Sequence, residues 1–181
     1  GQHTVTLQVE ADGQVRSAQR TDYIIALADS LDAADGTADP GDTVEVVIRG
    51  RNTLPLSVLE FPIEYPGDLP LSFVGYSTSG CRTDYFEIKT KLNEDPIGRR
   101  LTIRLTNSAS GGALPLAPGE GELLRIRLVI GPSADYDQTA TITLDGYSAY
   151  LPRFTSGSLQ YFPVLGTATI SACGPLLATR S

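Results

Sequence analysis

Apolar and polar side chains alternate with a period of two along most of this chain, and that alternation restricts the fold more than any other feature. Between Thr43 and Arg49, Val44, Val46 and Ile48 fall on one face and Thr43, Glu45 and Arg49 on the other, the pattern of a strand buried on one side only. Leu59, Phe61, Ile63 and Tyr65 repeat it, as do Leu101, Ile103 and Leu105, then Leu124, Ile126, Leu128 and Ile130, then Ala140, Ile142 and Leu144. No segment reads as a helix. Short strands set off by Pro-Gly and Gly turns predict an all-β chain folded as an antiparallel sandwich or barrel.

The chain has 181 residues, 41% of them hydrophobic, enough for one core that buries roughly 70% of the unfolded surface. Lys and Arg number 14 against 21 Asp and Glu, a net charge of −7. No basic cluster could neutralise a run of phosphates, so nucleic acid is not an expected partner. No apolar run approaches the roughly 20 residues of a membrane-spanning helix. Gly1 to Glu10 alternates where a signal peptide would be continuously apolar, so any export signal is expected to have been removed already.

Three segments are expected. Residues 1–20 hold a strand with Val5, Leu7 and Val9 on one face, followed by a polar connector from Ala11 to Arg20 with a turn at Gly13. Residues 21–172 form the sandwich, and residues 173–181 a tail. Within the sandwich, Asp29 to Asp42 reads as an acidic loop and Ser108 to Gly121 as a long one. Pro62 interrupts a strand and places it at an edge or at a bulge. The N-terminal strand has two uses open to it. It can complete its own sheet, or it can add to the edge of another copy, which repeated head to tail builds a filament.

Candidate chemistry is sparse. His3 is the single histidine, and Gly75 to Gly80 misses a nucleophile elbow by one position. Glu60 and Glu64 share an outward face, but four residues of strand hold them roughly 13 Å apart, beyond the ~5 to 9.5 Å that glycoside hydrolysis uses. They read as solvated charges on a strand edge, carried forward as candidate interface residues, and the chain is not expected to be an enzyme. Asp29, Asp32 and Asp35 offer hard oxygen ligands for a structural calcium ion without EF-hand spacing; a solvated acidic loop is the alternative. Tyr147, Tyr150, Phe154 and Tyr161 form a local cluster of rings. Such rings serve as core, as a protein interface or as a glycan-binding platform. Cys81 and Cys173 cannot complete a zinc site with one histidine, which leaves either a disulfide or two unpaired thiols.

Several segments, in order, resemble the cohesin family of secreted bacterial proteins. They are Pro40-Gly41-Asp42-Thr43-Val44, Leu59-Glu60-Phe61-Pro62-Ile63-Glu64-Tyr65, Leu71-Ser72-Phe73-Val74, Pro118-Gly119-Glu120-Gly121-Glu122-Leu123-Leu124, Phe154-Thr155-Ser156-Gly157 and Gly166-Thr167-Ala168-Thr169-Ile170. The resemblance spans about residues 22 to 172. It implies a nine-stranded jelly-roll sandwich at the cell surface or outside the cell that recognises a protein partner and catalyses nothing; binding to copies of itself is the expectation raised by the N-terminal strand. An extracellular setting favours a Cys81–Cys173 bridge. The alternative, from a different functional class, is a carbohydrate-binding module working through the Tyr147 and Tyr150 rings.

Overall fold

The structure is a computed structural model that describes residues 2–25, 27–108 and 112–173. The chain opens with β1 (Gln2–Ala11) and β2 (Gln14–Ile25), then β3 (Ser30–Ala33), β4 (Gly36–Ala38), β5 (Thr43–Asn52), β6 (Val58–Glu64) and β7 (Leu71–Ser77). β8 (Ile88–Asp95), β9 (Arg100–Thr106) and β10 (Gly119–Ile130) follow. The last strands are β11 (Thr139–Ile142), β12 (Arg153–Ser156), β13 (Leu159–Tyr161), β14 (Val164–Leu165) and β15 (Ala168–Ala172).

Two five-stranded sheets, ordered β14-β3-β5-β10-β7 and β13-β12-β6-β9-β8, enclose the core. The alternation expected from the sequence places its apolar faces between them. Val46 and Ile48 of β5 and Leu124, Ile126, Leu128 and Ile130 of β10 are fully buried from one side, and Leu59, Phe61, Ile63, Leu101, Ile103 and Leu105 of β6 and β9 from the other. Burial of each such side chain stabilises the fold by about 1.5–3 kcal/mol before ordering costs. A smaller sheet, β11-β15-β4, adds Ala140, Ile142, Ala168 and Ile170 to the same core. At its junction with Pro66 and Gly67 the chain passes close to β11. Gly67 has φ 133°, and a Cβ there would lie 2.6 Å from the Thr139 carbonyl oxygen, so only glycine fits.

The sandwich closes on itself by parallel pairing, a departure from an all-antiparallel fold. Val164 and Leu165 of β14 pair with Ser30 and Leu31 of β3, and Ile170 to Ala172 of β15 pair with Gly36 to Ala38 of β4. The stretch expected to be an acidic loop is therefore the opening strand pair. Leu31 and Ala33 turn inward, and Asp32 turns out between them. Pro62 also sits differently from expectation. β6 is interior, but β12 pairs with it only over Val58–Glu60, and the next contact on that flank is the Glu64–Thr143 bridge. Pro62 falls in that gap, where a missing N–H breaks no ladder.

The N-terminal segment is a hairpin and not a strand with a connector. Residues 14–20, expected as a polar link, pair in register with β1 from Ala11↔Gln14 to Val5↔Arg20, and β2 continues to Ile25. Asp12 and Gly13 carry φ of 52° and 71°, the left-handed pair that a two-residue hairpin turn requires. The tail beyond Cys173 lies outside the described residues.

The expected disulfide is absent, and both thiols are free. Cys81 is buried in the turn after β7, where its N–H donates to the Thr78 carbonyl at 2.9 Å. Cys173 directly follows β15, its N–H donating to the Ala38 carbonyl at 2.9 Å. Each is thus fixed by a backbone bond, Cys81 in a turn and Cys173 just past the end of β15. Burial, with Glu122, Asp84 and Glu45 nearby, pushes the Cys81 thiol up despite the opposing influence of Arg125, so little reactive thiolate forms there. Intact-mass analysis without reductant should show two free thiols. Cys81 should react with a thiol reagent only as the chain unfolds, and reductant should leave the melting temperature unchanged; a bridged mass would contradict this.

Candidate interaction surfaces

Asp29, the first of the proposed calcium ligands, is only 2% exposed, and its carboxylate is fully engaged by the protein. Oδ1 accepts from the Thr53 N–H at 2.8 Å and from the Thr53 hydroxyl at 2.6 Å, while the Tyr161 hydroxyl donates to Oδ2 at 2.5 Å. Asp35 accepts from the Thr169 N–H at 2.7 Å, joining the opening strands to β15. Asp32 lies against Gly166 and in a separate surface recess with Arg49 and Arg51. Among the described residues no three acidic, histidine or cysteine side chains could hold a metal ion together. The calcium expectation is corrected accordingly: strand pairing disperses these carboxylates and uses two of them as backbone anchors.

The ring cluster also divides. Phe154 is fully buried and meets Tyr161 edge to face, with centroids 6.0 Å apart at 84°. Tyr147 is 7% exposed; its hydroxyl is 2.7 Å from Thr102 Oγ1, and the Arg100 guanidinium sits 5.2 Å from its ring centroid. Tyr150 leans on Tyr147 at 5.4 Å. A sugar needs the open face of a ring, and two of these four rings are buried. The four do not form a glycan platform.

Glu60 and Glu64 separate in role. On the outer face of the β13-β12-β6-β9-β8 sheet, Glu60 lies between two cross-strand neighbours, Arg104 of β9 at 3.5 Å and Arg153 of β12 at 3.6 Å. Its side chain is 15% exposed, against 45% for Arg104 and 35% for Arg153. The next row on the same face is Thr155, Val58, Thr106 and Ile88, all partly exposed. Glu64 stands at the other end, opposite Arg100. Arg100 itself pairs with Asp95 at 3.0 Å, and the Gly98 N–H together with this arginine holds the Asp95 carboxyl below its usual range. The segment bearing Tyr147 covers that end. What remains open is a flat patch of β-branched side chains around a braced Arg–Glu–Arg row, of which the sequence pointed only to the glutamate. Arg104 was legible as an outward residue of β9, but Arg153 had no such signal, because nothing local places β12 beside β6.

The hairpin carries a second surface. Directly opposed residues share a face, so Val5/Arg20, Leu7/Ala18 and Val9/Arg16 lie together, and Thr6/Gln19 and Gln8/Ser17 lie on the reverse. Leu7 is 63% and Val9 53% exposed. The expected interface residues Val5, Leu7 and Val9 do form one apolar stripe, and β2 places arginines beside it.

Comparison with solved structures decides the architecture. The third cohesin of ScaC from Acetivibrio cellulolyticus, solved with the ScaB dockerin, matches with TM-score 0.64 at 17% identity, over 81% of this chain and 99% of that one. The fold is that of a cohesin. The non-cellulosomal cohesin of the archaeon Archaeoglobus fulgidus matches with TM-score 0.60 at 14% identity, over 81% of this chain and 91% of that one. CaCohA2 from Clostridium acetobutylicum gives 0.64 at 14%, over 82% and 93%. No protein-family model and no curated protein sequence matches the chain. These cohesins are covered almost completely, while about a fifth of this chain finds no counterpart in them.

The Asp29 anchor yields a stability prediction. Asp29→Ala strands the Thr53 N–H and two hydroxyls and should destabilise by about 3 kcal/mol, with Tyr161→Phe costing about 1–2. Burial and the adjacent Asp29 carboxylate push the Tyr161 phenol far up. A pKa raised in the folded state contributes stability that is present below the unfolded value of about 10 and declines as pH rises past it. Urea unfolding above that pH should therefore show a steeper loss for the wild type than for Tyr161→Phe; equal slopes would remove the anchor.

Proposed function

We propose that this chain is a non-catalytic protein-binding module working outside the cell or at its surface, and that the outer face of the β13-β12-β6-β9-β8 sheet receives the partner. The observation that carries the reading is the cohesin fold combined with the braced Arg104–Glu60–Arg153 row on an open, flat sheet face. Arg and Glu side chains held by each other lose little freedom on binding, and the surrounding Thr155, Val58, Thr106 and Ile88 offer area without protruding. Charges paired in this way set partner choice and register more than raw affinity. The extracellular setting rests on the resemblance of the sequence to secreted cohesins, and the dockerin solved with one cohesin that shares the fold is the model for the partner. The hairpin supplies a separate attachment point through which copies join.

Titration of the immobilised chain with a panel of dockerin modules should give saturable binding to at least one. Glu60→Arg, which places three arginines in a row, should weaken that binding roughly tenfold or more at a temperature where the variant, its melting temperature lowered by cross-strand repulsion, is still folded. A panel in which nothing saturates, or in which Glu60→Arg binds as well as wild type, would sink the assignment of this face.

A further inference from the structure

The hairpin's stripe has a counterpart on the sandwich. Leu151, Pro152, Phe162, Pro163 and Leu165 line a shallow groove that also includes Asp145. Phe162 is 63% and Leu151 42% exposed, large apolar side chains left open side by side in one groove. β13 and β14, which flank Phe162, are the terminal strands of the two large sheets, so the groove runs along the open flank of the sandwich.

We propose that the β1–β2 hairpin of one copy seats Val5, Leu7 and Val9 in the Phe162 groove of a second copy, with Arg16 against Asp145. Charge complementarity selects this occupant. Arg16 lies on the stripe's own face, opposite Val9, Asp145 belongs to the groove, and neither has an ion pair among the described residues. An isolated two-stranded hairpin is marginal in water, so this one gains most from a surface that covers its apolar face.

Geometry directs the contact to another copy. The groove lies at the hairpin's foot, since the Val164 N–H donates to the Asp29 carbonyl at 2.8 Å, four residues past the end of β2. Leu7 pairs with Ala18, seven residues and about 23 Å up the strand from Ile25. In this chain no hairpin residue lines the groove, and Leu7 and Val9 stand open, so the stripe does not occupy its own groove and is free for a neighbour's. Donor and acceptor are different surfaces, so the contact is heterologous and propagates head to tail. The hairpin acts as a two-stranded unit, because releasing β1 alone would break its ladder with β2. This inference deepens the reading of the hairpin as the attachment point and does not depend on the Glu60 face.

Sedimentation velocity of the full chain over a concentration series tests it. Wild type should form growing oligomers, while Leu7→Asp and Phe162→Asp should each remain monomeric with unchanged melting temperatures. Mixing those two variants should yield dimers and nothing larger, because one retains only a groove and the other only a stripe. Arg16→Asp should weaken association roughly tenfold, and adding Asp145→Arg should restore it. A wild type that is monomeric at its highest soluble concentration, a Phe162→Asp variant that assembles like wild type, or a mixture that forms long oligomers overturns the proposal. So does a lowered melting temperature for Leu7→Asp in a monomeric chain, the mark of docking within one copy. Glu60→Arg should assemble normally, which separates failure of this inference from failure of the dockerin-like reading.

Discussion

One buried carboxylate holds the closure of this sandwich. Asp29 precedes the first strand of the core, and through Thr53 and Tyr161 it grips the end of β5 and the end of β13. Its carbonyl receives the Val164 N–H. Chain segments more than a hundred residues apart thus meet at a single side chain, and the parallel pairing of β3 with β14 starts there. Parallel closure brings distant segments together without a hairpin to guide them. A fully satisfied buried charge specifies that register, whereas an unsatisfied one would be costly.

The same closure positions both proposed contact surfaces. It sets β12 beside β6, which brings Arg153 to Glu60, and it leaves Phe162 exposed at the turn from β13 to β14. The Glu60 row and the Phe162 groove have different chemistry, one braced and charged, the other apolar. A module built this way can hold a partner on its sheet face while a hairpin from another copy occupies its flank.

Alternation made β5, β6, β9, β10 and β11 legible in the sequence, because each buries one face and exposes the other. The hairpin's second strand was not legible. Val15 and Ala18 are its only apolar residues between Gln14 and Arg20, and the strand is held by the Asp12-Gly13 turn and its ladder with β1, with no burial to leave a pattern. Leu31 and Ala33 did carry a two-residue period, hidden by the aspartates around them. Local sequence also could not assign roles to Asp29 and Tyr161, since a carboxylate near other carboxylates resembles a metal loop until its partner 132 residues away is in place. The cysteines failed for a related reason: Cys173 is placed by β15 pairing with β4, far from the turn that holds Cys81, and no spacing encodes that pairing.

Amide hydrogen exchange on the full chain at low and high protein concentration tests the central claim most directly, that a self-sufficient sandwich carries a separate hairpin which docks on another copy. The account predicts strong, concentration-independent protection across β5, β6, β9 and β10, weak protection of β1 and β2 in dilute solution, and a joint rise in protection of the hairpin and residues 159–165 as concentration increases. A hairpin protected as strongly as the core in dilute solution, or a concentration-dependent rise that leaves residues 159–165 unchanged, would contradict it.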